Sequence, residues 1–199
     1  MPTTINNHLF TIVLLNAIHP LSKSLNSFLS HALKTSYFKK GDFIIKNGEV
    51  CDRLHLIRKG LVRGYFNYEN TEITTWVSVD NEMVTSISGF FKKTPARENI
   101  ECLEDTYTES ISHHDLHFAL ENFKEMELLY RILMQQYYQN AECRAFMVRI
   151  PTAKGRYEHF LQTNYTEIIK RLPKKYLASL LNMRPETLSR LETPVFMKN

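Results

Sequence analysis

Long hydrophobic runs are missing from these 199 residues. The most apolar early run, Leu9 to Ile18, is about half the length a membrane-spanning helix needs. No Lys or Arg precedes it, as a secretory leader would require. A cytoplasmic protein with no membrane partner is therefore expected. Cysteine is scarce: Cys51, Cys102 and Cys143 are far apart and odd in number. That suits reduced thiols, read here as small buried apolar residues, better than a disulfide framework. There is no CxxC pair and no Cys/His spacing of a zinc finger. Nucleophile elbow, Walker loop and dinucleotide fingerprint are also lacking, as are internal repeats and low-complexity stretches.

What is present describes a folded chain. Hydrophobic residues make up 43% and aromatics 12%, against 23% charged, which is far from the signature of disorder. The length allows one large domain or a medium domain plus a small one. Net charge is only +4, but residues 149–199 hold ten Lys and Arg against four Glu and carry +6, while the remainder carries −2. A basic C-terminal segment on a near-neutral body is what a phosphate-binding segment would show, although a merely solvated basic face has the same composition.

The periodicity changes twice along the chain. Leu21, Leu25, Phe28, Leu29 and Ala32 recur at three and four residues and predict an amphipathic helix from Leu21 to Leu33, started by Pro20. After Tyr37, short apolar runs alternate with turn residues: Phe43 to Ile45, Leu54 to Ile57, Leu61 to Phe66, Thr71 to Val79, Asn99 to Cys102 and Tyr107 to Ile111. These predict an antiparallel β domain over roughly residues 38–112. From Leu116 the helical period returns through Met126, Tyr130, Leu133 and Tyr137 to Ala141, Ala145 and Val148, with no Pro or Gly between Pro95 and Pro151. A helix of about 30 residues is predicted, and an apolar stripe of that length suits a homodimer or packing on the chain's own β domain. Beyond Pro151, short helices are predicted over Ala153 to Gln162, Tyr165 to Ile169, Lys174 to Leu181 and Pro185 to Leu191.

The last two of these meet at Asn182, a residue that tolerates the left-handed backbone of a sharp turn. Leu177, Leu180 and Leu181 give the first helix a buried face, and Ala178 allows the second to approach closely. Pro185 suits the first turn of the second helix. Leu188 and Leu191 face the core, which leaves Glu186, Thr187, Ser189 and Arg190 exposed as side chains able to reach base edges and phosphates.

The stretch Leu-Asn-Met-Arg-Pro-Glu-Thr-Leu-Ser-Arg-Leu, residues 181–191, resembles the recognition region of Crp/Fnr transcription regulators, whose pattern is Arg-Glu-Thr-hydrophobic-x-Arg. The resemblance implies that Glu186 and Arg190 read bases and that Thr187 touches the DNA backbone, with Ser189 beside them. Pro185 stands where the family has a base-contacting Arg. Gly41, Gly48 and Gly60 look like the turn glycines of that family's cyclic-nucleotide-binding roll. The implied architecture is α+β: a β-roll sensor with N-terminal helices over residues 1–115, a dimerisation helix over 116–150 and an all-helical helix-turn-helix over 151–199. Only eight residues follow Leu191, so a two-stranded wing is not expected. The implied partners are double-stranded DNA, a second copy of the chain and RNA polymerase.

The family's phosphate-binding cassette has a Gly-Glu pair and, about ten residues on, an Arg-Ser/Thr. In the equivalent stretch here, residues 86–99, Gly89 and Arg97 are the candidate ligand-binding residues. Ile87 replaces the carboxylate, and Glu98 brings negative charge to where a phosphate would sit. No tight cAMP binding is expected and the effector is left open; no cofactor is expected, since the N-terminal cysteine group of iron–sulfur relatives is lacking. His113, His117 and Glu121 have the spacing of a helical metal site but read better as helix-surface residues. Two other function classes are open. A cupin-like metal enzyme needs a His-x-His pair, and the strand region has only His55. A ligand-binding adaptor with a degenerate helix-turn-helix is compatible with Pro185 and a missing wing, and DNA binding discriminates it.

Overall fold

The computed structural model describes residues 9–163 and 166–193. The apolar run too short to cross a membrane is helix α1 (Phe10–Ile18), which buries Ile12 and Leu15. Its Phe10 and Thr11 amides donate to the carboxylate of Glu109 at 2.8 and 2.7 Å. A buried carboxylate at a helix N-terminus satisfies orphan amides and complements the helix dipole. Helix α2 (Lys23–Ala32) buries Leu25 and Leu29 along the predicted stripe. Its start is set by Ser22, whose hydroxyl accepts the Leu25 amide at 3.2 Å, and not by Pro20. No helix among the described residues is long and apolar enough to cross a membrane.

Among the described residues eight strands follow: β1 (Lys34–Phe38), β2 (Phe43–Ile45), β3 (Arg53–Lys59), β4 (Leu61–Tyr68), β5 (Thr71–Val79), β6 (Met83–Val84), β7 (Asn99–Cys102) and β8 (Thr106–Ser112). A short helix, α3 (Ile87–Lys92), lies between β6 and β7. They form two antiparallel sheets, β1-β8-β3-β6 and β2-β7-β4-β5, which close over one core containing Ile45, Ile57, Val62, Ile100 and Ile111. The β region begins at Lys34, earlier than the sequence pattern suggested. Strand β1 is an edge strand with an exposed polar pattern, and its Tyr37 is itself exposed against Tyr107, so no apolar run marks it. At Gly60, φ is +144° and a β-carbon would lie 2.4 Å from Thr106 Oγ1, which reserves the position for glycine.

The long helix is interrupted. Helix α4 (His113–Asn122) and helix α5 (Lys124–Met147) are separated by Phe123, which is extended at φ −131° and ψ 110°. The expected single helix of about 30 residues is thus corrected to two. Neither Pro nor Gly causes the break. Phe123 instead turns its ring onto Phe28, at 5.6 Å between centroids, and packs on the roll core; burial of an aromatic outweighs the continuity of one helical turn. Of the cysteines, Cys51 and Cys102 are buried as expected, but Cys143 is exposed on α5.

Helices α6 (Ala153–Gln162), α7 (Thr166–Arg171), α8 (Lys174–Leu180) and α9 (Pro185–Glu192) complete the chain. The predicted start of α7 at Tyr165 and any wing after Thr193 lie outside the described residues. The four helices do not form an isolated core: Tyr157, Phe160, Leu172, Leu177 and Leu188 share one apolar cluster with Leu61, Val77 and Leu103 of the roll.

His55 of β3 is buried, with Nδ1 3.0 Å from Thr108 Oγ1. Burial, helped by the charge of Arg53, pushes it down from 6.5 to about 4. The folded protein therefore binds fewer protons than the unfolded chain between these values, so this contribution is complete above pH 6.5 and is lost as pH falls toward 4. Urea unfolding of wild type and His55→Gln should show the wild type losing about 3 kcal/mol more than the variant between pH 7 and pH 4. Parallel pH profiles would contradict the assignment.

Candidate nucleic-acid interface

Helices α8 and α9 are joined by a sharp turn. Leu181 closes α8 with its amide on Leu177 O, and Asn182 takes φ +49°. The Met183 amide then returns to Ala178 O at 2.9 Å. Asn is among the few residues other than Gly that adopt this conformation at low cost. The carbonyls exposed by the turn are taken by Arg156 of α6, which donates to Leu181 O at 2.7 Å and Asn182 O at 3.0 Å. The same guanidinium donates to Ile150 O at 2.7 Å and so ties the turn to the end of the long-helix region. Pro185 sits in the first turn of α9, where its missing N–H costs nothing.

The predicted contact residues lie on α9 as follows. Leu188 is buried, whereas Glu186, Ser189 and Arg190 are exposed. Arg190 Nε lies 3.4 Å from Glu186 O, so the guanidinium stays along the outer surface of the helix. Thr187 differs from expectation in being half-buried, as the neighbour of the fully buried Leu188. At the far end Lys174 Nζ pairs with Glu192 Oε2 at 2.5 Å and holds the two helices together. The result is a convex helix face with one carboxylate, one hydroxyl and one guanidinium, a donor and acceptor set of the kind that reads base edges.

A second feature lies where α5 crosses the roll. A cleft of about 720 Å³, including its open mouth, is walled by Trp76, Glu82 and Thr85 of the roll and by Gln136, Tyr137 and Arg144 of α5. Burial pushes the Glu82 carboxyl up, against a hydrogen bond from Ser78, the Val79 amide and the charge of Arg144. Glu98 is also pushed up by burial, countered by Trp76, Ser86 and Arg144. Its carboxylate accepts the Trp76 indole N–H at 2.9 Å. Trp76 lies flat on β4, and a β-carbon at Gly64 would come within 2.0 Å of its ring. The candidate ligand residues from the sequence do not line this cleft. Gly89 is buried in α3, with a β-carbon there only 3.1 Å from that of Cys51, and Arg97 is exposed.

Ile87 stands at the cassette carboxylate position, the Glu98 carboxylate accepts the Trp76 indole N–H, and the charge of Arg144 acts on both Glu82 and Glu98. His113, expected on the helix surface, is buried, with its ring 4.4 Å from that of His117 at a 35° tilt; no group of three His, Cys, Asp or Glu side chains among the described residues could hold a metal ion.

Residues 35–123 match the cyclic nucleotide-binding domain family. No curated protein matches the chain by sequence. Among solved structures, FixK2 from Bradyrhizobium japonicum superposes with a TM-score of 0.68 at 17% identity, covering 83% of this chain and 85% of that one. CooA from Carboxydothermus hydrogenoformans, as a double mutant, gives 0.71 at 16%, covering 94% and 84%. A protein from Eubacterium rectale assigned to the Crp/Fnr family of transcriptional regulators gives 0.66 at 20%, covering 86% and 82%. The chain has the Crp/Fnr fold. In this Crp/Fnr-fold protein the segment missed by sequence reasoning is the contact between the C-terminal helices and the roll. Arg63 of β4 is 2% exposed and pairs with Glu72 and Glu101 at 2.5 and 2.6 Å, between the rings of Tyr65 and Tyr176 at 4.0 and 3.7 Å. A lone Arg inside the otherwise apolar run Leu61 to Phe66 was the signal that could have revealed it.

Arg156→Ala should loosen the turn selectively. Removal of charge-assisted bonds to several carbonyls is expected to cost about 2–3 kcal/mol, read as lost amide-exchange protection in α8 and α9 with the roll strands unchanged. Retained protection of the Leu181–Leu188 amides would show that Arg156 does not support the turn.

Proposed function

We propose that the protein is a sequence-specific DNA-binding transcription regulator that acts as a homodimer through α5, is not controlled by cAMP, and has no catalytic activity. The observation that carries this reading is the exposed α9 face bearing Glu186, Ser189 and Arg190 behind a turn built on Asn182. A recognition helix docks in a major groove in this way, with the preceding helix crossing the backbone. The +6 charge of residues 149–199 supplies the phosphate attraction. For dimerisation, α5 spends one face on the roll through Met126 and Leu129 and presents Tyr138 and Phe146, 70% and 59% exposed, on another. A symmetric dimer then offers two recognition helices to successive major grooves about 34 Å apart. The cleft between α5 and the roll is the effector site in this reading, and its carboxyls favour a ligand other than a phosphate ester. RNA polymerase is the downstream partner.

Arg190→Ala should weaken binding to the duplex that the wild type prefers by about 5- to 150-fold, the worth of one good base contact, while sedimentation still reports a dimer. Titration of both proteins against that duplex at fixed salt checks this. An unchanged affinity and sequence preference would remove Arg190 from base reading. A wild type with no sequence preference would favour a ligand-binding adaptor.

A further inference from the structure

We propose that Arg171 is the positioning residue that fixes the recognition helix relative to the roll, by latching the C-terminal helices onto the open edge of β5. The purpose assigned to the latch rests on the DNA-reading proposal; the latch itself does not.

Strand β5 ends its sheet, with β4 on one side and, among the described residues, no strand on the other. An uncovered edge leaves a row of unpaired backbone groups. Here α8 supplies the cover: Ser179 Oγ accepts the outward Thr74 amide at 2.9 Å and donates toward Glu72 O at 3.4 Å. Three residues earlier on the same helix, the Tyr176 ring lies against Arg63. These contacts hold the chain at one end of β5.

Arg171 holds it at the other. Its Nη2 donates to Gly60 O at 2.7 Å and to Glu104 Oε2 at 2.7 Å, and its Nη1 reaches Asp80 Oδ2 at 3.1 Å. The three acceptors belong to three different turns of the roll, β3–β4, β5–β6 and β7–β8. Asp80 also accepts the Gly60 amide at 2.6 Å, so two of those turns are already joined. One attachment point would leave the C-terminal helices free to rotate about it. Two points, at opposite ends of β5 and with the apolar cluster between them, define one orientation. That orientation passes to α9 through Leu188 and the Lys174–Glu192 pair. A planar guanidinium with several fixed donors suits such a junction, and a lysine would not replace its geometry.

The test uses the full chain with Arg171→Ala and Arg171→Lys, and its first readout is amide hydrogen exchange resolved by residue. In Arg171→Ala the Thr74 amide should exchange about tenfold faster or more, the scale of losing charge-assisted bonds that hold a local closed state. Amides in the β4–β7 ladder should keep their wild-type rates, and Arg171→Lys should fall between. Uniform acceleration would make Arg171 a general stabiliser, and an unchanged Thr74 would show no latch; either overturns the proposal. The second readout is affinity for two-half-site duplexes whose spacing is varied one base pair at a time. Wild type should favour one spacing, whereas Arg171→Ala should lose that preference while binding an isolated half-site as before. An undiminished spacing preference in Arg171→Ala would overturn the positioning role. If Thr74 responds as expected but wild type binds no duplex, the latch stands and the DNA-reading proposal fails.

Discussion

The unpaired edge of β5 is the constraint on which the arrangement of the molecule depends. Its outward amide and carbonyl groups need partners, and the C-terminal helices supply them through Ser179. Once α8 lies there, Tyr176 covers Arg63, whose buried guanidinium pairs with Glu101 and with the half-exposed Glu72. Burying the guanidinium carries a desolvation cost. That cost makes the docked arrangement specific: no displaced register of α8 would place an aromatic ring on the guanidinium and a hydroxyl on the Thr74 amide together.

The same strand connects the two ends of the molecule that a regulator would need to couple. Trp76, Val77 and Ser78 of β5 and Asn81 and Glu82 of the following turn face the cleft under α5. Glu72, Thr74 and Asp80 face the C-terminal helices. Asp80 and Asn81 are neighbours in one turn, with Asn81 held at φ +73°. A molecule in the cleft and the guanidinium of Arg171 thus bear on adjacent residues of one short segment. Coupling between sites requires an element that both can bias, and this turn has the position for it.

Much of this was legible in the sequence because it follows from local chemistry. The apolar run Leu61 to Phe66 and the Thr, Ile, Val and Trp of Thr71 to Val79 mark those strands, Gly60 marks the turn before β4, and Asn182 with Pro185 marks the junction of α8 and α9. What escaped has tertiary causes. Strand β1 is polar on an edge and leaves no periodic trace. The break at Phe123 is set by where Phe28 waits, which no pattern within residues 116–150 records. Helical spacing alone exposes Thr187, but how far its neighbour Leu188 buries that side of α9 is a tertiary matter. Glu98 was read as a charge beside a ligand site, and only the fold shows its carboxylate turned onto Trp76. Arg171 looked like one more positive charge in a basic tail, since its three acceptors are 67, 91 and 111 residues away.

The most direct measurement is selection of binding sites from a randomised duplex pool by the purified full-length protein, at fixed salt, with and without cAMP. The account predicts enrichment of a two-fold symmetric site whose half-sites lie about one helical turn apart, with the same sequence and the same yield in both conditions. Enrichment that appears only with cAMP would contradict the reading of Ile87, Glu98 and the cleft, and a pool left unenriched in both would contradict DNA recognition itself.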